Sequence, residues 1–484
     1  MTDDHSSPIF TQKKLGCVTF SNRLLRSSIG GRTAYYDGTV NEAWETFESR
    51  FAAGGVGGII SATFTVDDER WSPLEYPAIS NDKFVRPLAR KINSLQRRYP
   101  TCRYIIQVGD PGYHTQTSLF RQAADSLTAS SGFDFLYGYA SGRVQLSVPQ
   151  IKCTVENFRR AAARVKATGC DGIELTASKG YLVHQFLNPG TNRRNDEYGG
   201  SLEDRCRLLK EVVEAIRDAV GREFLFGVRL SSRDYNRHPW LSVLRFGPGL
   251  WPAAFTRGNR LPDMLEVGRW LETLGVDYLH ISSGFGFINA KENPGRFPTS
   301  EVGMFLNSTR HLSGKACVRA AFFNLIPHRL LDYFMNFGWI QPDGDGANML
   351  SNLDDARAFK QALRIPIIVN GGFQRRTHIE RALTDPNGCD MVSMARPLLA
   401  NPGLPRMFEA GVDVPRRTCT FCNRCAVRTT LFPLGCYDRE RYRYGRHHQR
   451  RCDRDTTEVM ERRIERFNVP RRREQRDPVQ TAGT

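Results

Sequence analysis

The chain has 484 residues, 40% hydrophobic and 25% charged, the balance of a folded globular protein. No run of 18 or more apolar residues occurs, which excludes a membrane-spanning helix. The acidic start MTDDHSSPIF is neither a secretory signal nor an Arg-rich transit peptide, so a cytoplasmic location is expected. The net charge is +17; residues 437–484 hold 14 basic and 9 acidic residues, a surplus of +5, and the other +12 belongs to residues 1–436. Such a balance suits phosphorylated cofactors, anionic substrates or nucleic acid, and equally a solvated basic surface.

Short apolar runs and helical patterns alternate along the chain. The runs are Leu24–Ser28, Gly58–Thr63, Tyr104–Val108, Gly172–Thr176, Phe224–Leu230, Tyr278–Ser282, Pro366–Asn370 and Met391–Met394. Most are near-continuous in Val, Ile, Leu and Phe, the pattern of parallel strands covered on both faces. Between them, helices are expected over Glu42–Ala53, Asp82–Arg98, Thr154–Gly169, Glu203–Val220, Pro262–Leu274, Asp354–Leu363 and Thr377–Leu383. Thr154 and Ser201 read as N-caps, and Gly169 and Gly221 as the matching stops.

Eight strands alternating with helices predict an α/β fold, a (β/α)8 barrel with long loops on the C-terminal face. The longest loops are expected at Gly109–Pro149, Ser231–Arg260 and Ser283–Ser351. A doubly wound sheet is the alternative, but no G-x-G-x-x-G follows a strand. The barrel is expected over residues 1–411, a Cys-rich segment over 412–440 and a basic, disordered tail over 441–484.

Three groups of residues fall at predicted strand ends. The stretch ELTASKGYLVHQFLNP runs from Glu174 to Pro189 and places Thr176, Lys179 and Tyr181 after the fourth strand. A phenol there can act as a general acid, and an ammonium can attract an oxyanion; equally, Tyr181 can pack under a loop and Lys179 can be solvated. Gly371, Gly372, Ala395 and Arg396 follow the seventh and eighth strands, where barrels often dock a phosphate on backbone N–H groups. Gln107 and Arg229, at the ends of the third and fifth strands, can hydrogen-bond a planar heterocycle over the barrel mouth.

Together these residues resemble the old yellow enzyme family of flavin mononucleotide (FMN) oxidoreductases, in the branch of NADH:flavin oxidoreductases and 2,4-dienoyl-CoA reductase. The segment CDGIELTASKGYLVHQFLNPGTNRRNDEYGGSLEDR, Cys170 to Arg205, carries most of the likeness. NRLLRSS (22–28), AAGGVGGIISA (52–62), QVGDPG (107–112), GVRLS (227–231), VNGGF (369–373) and MARPLLANP (394–402) support it. The resemblance covers the FMN barrel part. It implies that Ser27, Ser28 and Ala62 lie along the isoalloxazine ring and that Gln107 and Arg229 bond its pyrimidine edge. It also implies that Gly371, Gly372, Ala395 and Arg396 hold the phosphate. Tyr181 matches the tyrosine that protonates the substrate carbon. Where the family has a His paired with His or Asn for the substrate carbonyl, this chain has Thr176 and Lys179.

The implied reaction takes hydride from NADH or NADPH and reduces a carbonyl-conjugated C=C bond of a small molecule. A flavin-dependent NADH oxidase or a biosynthetic dehydrogenase is the alternative. An RNA-acting flavoprotein and a non-catalytic barrel come behind it, since nothing marks a separate RNA-binding module. The sequence leaves the oligomeric state open.

Cys419, Cys422, Cys425 and Cys436 form a C-x2-C-x2-C-x10-C cluster among twelve otherwise scattered cysteines. Four thiolates at this spacing suit a [4Fe–4S] cluster or a structural zinc, or can stand as four reduced structural cysteines. The resemblance favours iron–sulfur.

Overall fold

The structure, a computed structural model, describes residues 7–70, 76–112, 126–132, 142–234, 258–285, 295, 297–311, 313–339, 350, 352–429 and 432–438. Eight parallel strands close into a barrel: β1 (Leu24–Arg26), β2 (Gly58–Thr65), β3 (Arg103–Gly109), β4 (Gly172–Ala177), β5 (Leu225–Ser231), β6 (Tyr278–Ser282), β7 (Ile367–Val369) and β8 (Met391–Met394). Each pairs with its neighbours in chain order, and β8 closes on β1. The predicted strands and the (β/α)8 architecture are therefore present. Their continuous apolar character follows from burial on both sides, with helices outside and a packed interior within.

The interior has two parts. Leu25, Ile60, Ile105, Leu225, Tyr278, Ile368 and Met391 form an apolar layer, joined by Leu15 and Phe20 from a short hairpin (Lys13–Leu15 with Val18–Phe20). The second part is polar and fully buried: Gln107, Glu174, His280 and Ser393. A polar layer in a barrel interior must satisfy its own hydrogen bonds, since water does not reach it.

The outer helices are α1 (Glu42–Ala53), α2 (Val85–Arg98), α3 (Val148–Ala167), α4 (Leu182–Leu187), α5 (Leu202–Val220), α6 (Leu261–Thr273), α7 (Thr299–Thr309), α8 (Gly314–Leu325), α9 (His328–Trp339), α10 (Leu353–Ala362), α11 (Arg376–Thr384), α12 (Arg396–Ala400), α13 (Leu404–Glu409) and α14 (Arg424–Arg428). Ser201 caps α5 as expected, its side chain accepting from the Asp204 amide. Thr154 does not cap α3. That helix starts at Val148 behind a capping box of Ser147 and Gln150, and Pro149 sits in its first turn, where a missing N–H costs nothing. Thr154 lies inside it and donates to the Gln150 carbonyl at 2.9 Å.

The expected loop Ser283–Ser351 contains α7, α8 and α9. In α8 the apolar residues do not keep to one face: Val318, Phe322 and Leu325 are 60%, 60% and 80% exposed while Ala316 and Ala320 are buried, which blurs the helical period. The tail 441–484 lies outside the described residues, as do most of the other two expected loops, 113–125 with 133–141 and 235–257. Among the described residues, no helix is long and apolar enough to cross a membrane, and no disulfide is formed.

Candidate active site

The C-terminal ends of the strands bring the three groups of residues to one rim. After β1, the Ser27 amide donates to the Met394 carbonyl of β8 at 3.0 Å, and Ser27 Oγ is buried with no hydrogen-bond partner among the described residues. In β2 the pairing with β3 shifts register between Ile60 and Thr63, so Ala62 sits in an irregular, re-aimed stretch of backbone. Ser61 Oγ accepts from the Gln107 amide at 2.9 Å and ties that stretch to β3.

Gln107 is held at both ends of its amide. Its Nε2 donates to Glu174 Oε1 at 2.6 Å, and its Oε1 accepts from Thr63 Oγ1 at 2.5 Å. Arg229, on β5, stands directly across the ladder from Thr176 of β4. Its Nε is sealed from solvent without a partner among the described residues. Burial pulls the guanidinium below its ordinary value, opposed by Glu174 and Tyr181; an arginine nonetheless stays protonated. A half-buried arginine with an enclosed, unused Nε donor fits a polar ring edge placed over it.

Tyr181 follows a strained turn. Lys179 and Gly180 both take positive φ, 55° and 81°, which costs a non-glycine residue at Lys179. The turn is fastened from behind. The Gly180 amide donates to His184 Nδ1 at 3.0 Å, which leaves Nε2 as the ring donor to Asp234 Oδ1 at 2.8 Å. Gln185 Nε2 donates to the Gly180 carbonyl at 2.6 Å. Tyr181 itself stands at the start of α4 and packs beside Gly109, where a Cβ would lie 3.1 Å from its Cδ1 and 2.5 Å from Thr176 Cγ2. The Tyr76 hydroxyl hydrogen-bonds to Tyr181; burial first, then the Tyr181 phenol, push Tyr76 well above the ordinary phenol value. Lys179 Nζ donates to the Ser283 carbonyl beyond β6 at 2.5 Å, and Thr176 Oγ1 lies 3.4 Å from Ser178 Oγ.

At the other side of the rim, Gly371 and Gly372 have φ of 124° and 74°, conformations that exclude a side chain without strain. Ala395 precedes α12. The Arg396 guanidinium lies 5.0 Å from the Phe421 ring and donates to Asn423 Oδ1, so it reaches into the Cys-rich segment. That segment packs on the rim: a Cβ on Gly31 would meet Thr429 Oγ1 at 2.6 Å, and Arg424 pairs with buried Glu301 at 3.3 Å. Cys419, Cys422, Cys425 and Cys436 line one pocket with Arg396, Asn423 and Asp438. The Cys425 thiol is pushed up, first by burial and then by Cys419. The Phe421 amide donates to Cys419 Sγ at 3.4 Å. No three His, Cys, Asp or Glu among the described residues converge closely enough for a single metal ion.

Glu174, Tyr76, Gln185 and Asp234 stand outside the three groups legible in the sequence. Glu174 was visible as a charge inside an apolar strand. Tyr76 and Asp234 carry no local signal, because their partners lie 105 and 50 residues away in the chain.

The family description "NADH:flavin oxidoreductase / NADH oxidase family" matches residues 8–239, and that of dihydrouridine synthase matches 345–437. The NADPH dehydrogenase of Bacillus pumilus is 32% identical over 278 residues, 57% of this chain and 73% of the relative. The NADH oxidase of Thermoanaerobacter brockii is 23% identical over 432 residues; these are 88% of this chain but 54% of that protein, so the chain spans about half its length. Morphinone reductase in complex with tetrahydroNAD shares the fold, with a TM-score of 0.59 at 20% identity, covering 85% of this chain and 93% of that one. The chain thus belongs to the NADH:flavin oxidoreductase / NADH oxidase family, the flavin-dependent oxidoreductases of old yellow enzyme type.

Proposed function

We propose that this chain is an FMN-dependent ene-reductase, taking hydride from NADH or NADPH and reducing a C=C bond conjugated to a carbonyl in a small molecule. The observation that carries this reading is the meeting of Tyr181, on its fastened turn, with the buried Arg229 donor at one barrel mouth. When bound, FMN would supply the hydride-transfer chemistry between nicotinamide and alkene. The chain's own residues do the rest. Arg229 and Gln107 would hold the ring edge, with Ser27, Ser28 and Ala62 along it. Gly371, Gly372, Ala395 and Arg396 would hold the phosphate. Thr176 and Lys179 would bind the substrate carbonyl, and the Tyr181 hydroxyl would give its proton to the α-carbon. The fit for FMN rests on the unpartnered Arg229 Nε and Ser27 Oγ and on the left-handed Gly371–Gly372 pair.

The first test is anaerobic purification, with the released cofactor identified by mass, followed by mixing with NADH or NADPH and then with 2-cyclohexenone. FMN release and alkene-dependent reoxidation are expected. Loss of NADH with oxygen but never with the enone would instead favour the NADH oxidase reading, which the name of one relative and the family description suggest.

The four cysteines of the rim pocket are proposed as the ligands of a [4Fe–4S] cluster, supported by their shared pocket and the amide donor to Cys419 Sγ. Protein isolated without air is expected to carry about four iron and four sulfide per chain. Cys425→Ser should lose most of the iron and keep its FMN. Zinc without sulfide, or no metal in either protein, would remove the cluster.

A further inference from the structure

We propose that Glu174 is a positioning residue of the flavin site, fixing the Gln107 amide and balancing the Arg229 charge from beneath, and thereby holding down the reduction potential of bound FMN. This rests on the flavin reading above. Glu174 is the charged residue of β4, fully buried inside the barrel. It stands in register with Gln107 of β3 on one side and Gly227 of β5 on the other.

The missing side chain at Gly227 is what completes the cluster. A Cβ there would lie 2.0 Å from Tyr278 Cζ, so the tyrosine ring crosses the space that any other residue would fill. The Tyr278 hydroxyl thereby reaches Glu174 Oε2 at 3.1 Å. His280 Nδ1 lies 3.1 Å from the same oxygen, and its Nε2 lies 2.7 Å from Ser393 Oγ. Burial, above all, holds His280 below its ordinary value, and the ring spans the layer with Nδ1 toward Glu174 and Nε2 toward Ser393. Gln107, Tyr278 and His280 therefore all converge on one carboxylate. Burial opposes its charge, but His280, Arg229 and Gln107 outweigh burial and keep Glu174 below the usual carboxylate range.

Two consequences follow at the mouth. The Gln107 amide has its orientation set, with nitrogen toward Glu174 and oxygen toward Thr63, so its remaining donor and acceptor positions are not interchangeable. The Arg229 charge is matched by a buried anion, so the site has less net positive charge to meet the negative charge that FMN gains on reduction. Removing the anion should make reduction easier.

The test compares midpoint potentials of FMN-loaded wild type and Glu174→Gln, by anaerobic dye equilibration, with FMN content measured on both. Glu174→Gln keeps the shape and removes the charge. A shift of at least tenfold toward the reduced form is expected, about 30 mV upward for a two-electron couple. Tyr278→Phe, which removes one donor and leaves the anion less neutralised, should shift the potential the other way and serves if Glu174→Gln does not fold. Unchanged potentials with FMN in place would overturn the role of Glu174 and leave the flavin reading standing. Wild type that takes up no FMN would overturn both.

Discussion

Tyr181→Phe is expected to slow the reoxidation of reduced enzyme by a conjugated enone by about 10²–10⁴-fold, the usual worth of a positioned general acid. Reduction of the enzyme by NADH or NADPH should change by no more than about twofold, since no proton is donated to carbon in that half. The phenylalanine ring keeps the packing of Tyr181 beside Gly109 and Thr176, so the substitution removes a proton and little else. Tyr76 loses its hydrogen-bond partner but stays neutral, because burial is the main cause of its raised value. Stopped-flow traces of the two half-reactions, recorded separately without oxygen, give the split directly. Equal enone rates in the two proteins would make Tyr181 a packed loop residue. A loss in both halves would point to a displaced flavin instead.

The barrel was legible because its strands are buried on both sides, and an apolar run such as Tyr278–Ser282 needs no partner to be recognised. The rim was legible as a set of strand ends, and the resemblance gave those ends roles. What could not be read is contact across the chain. Lys179 reaches the Ser283 carbonyl over 104 residues, and Tyr278 reaches Glu174 only because Gly227 has no side chain. Nor does the sequence show that the Arg396 guanidinium touches Phe421 and Asn423 of the Cys-rich segment. A phosphate and a cysteine pocket would then share one cation. Helix α8 escaped for a different reason, since solvent-facing Phe322 and Leu325 break its amphipathic signal.

The second large effect is expected far from the chemistry, at the buried pair Arg26–Glu48. Both side chains are at most 1% exposed, and they contact each other directly where β1 meets α1. The guanidinium packs against both the Phe47 and Phe51 rings, 5.7 Å and 5.3 Å from their centres, and its Nη1 also donates to the Ser27 carbonyl at 3.3 Å. Arg26 cannot shed its proton, so Glu48→Ala would leave an uncompensated cation in an apolar shell. The expected cost is about 3–5 kcal/mol in urea unfolding, against about 0–1 kcal/mol for a surface pair such as Arg269–Glu266. Replacing both partners at once, as Arg26→Met with Glu48→Leu, should recover most of that loss, because the penalty belongs to the unpaired charge and not to the absence of the pair. FMN retention reads the functional side. The backbone at Ser27 starts immediately after Arg26, so the double variant should be stable yet hold flavin less tightly. A Glu48→Ala protein that unfolds within about 1 kcal/mol of wild type would mean that water or a shifted side chain compensates the charge, and the pair would then be no determinant of the β1 rim.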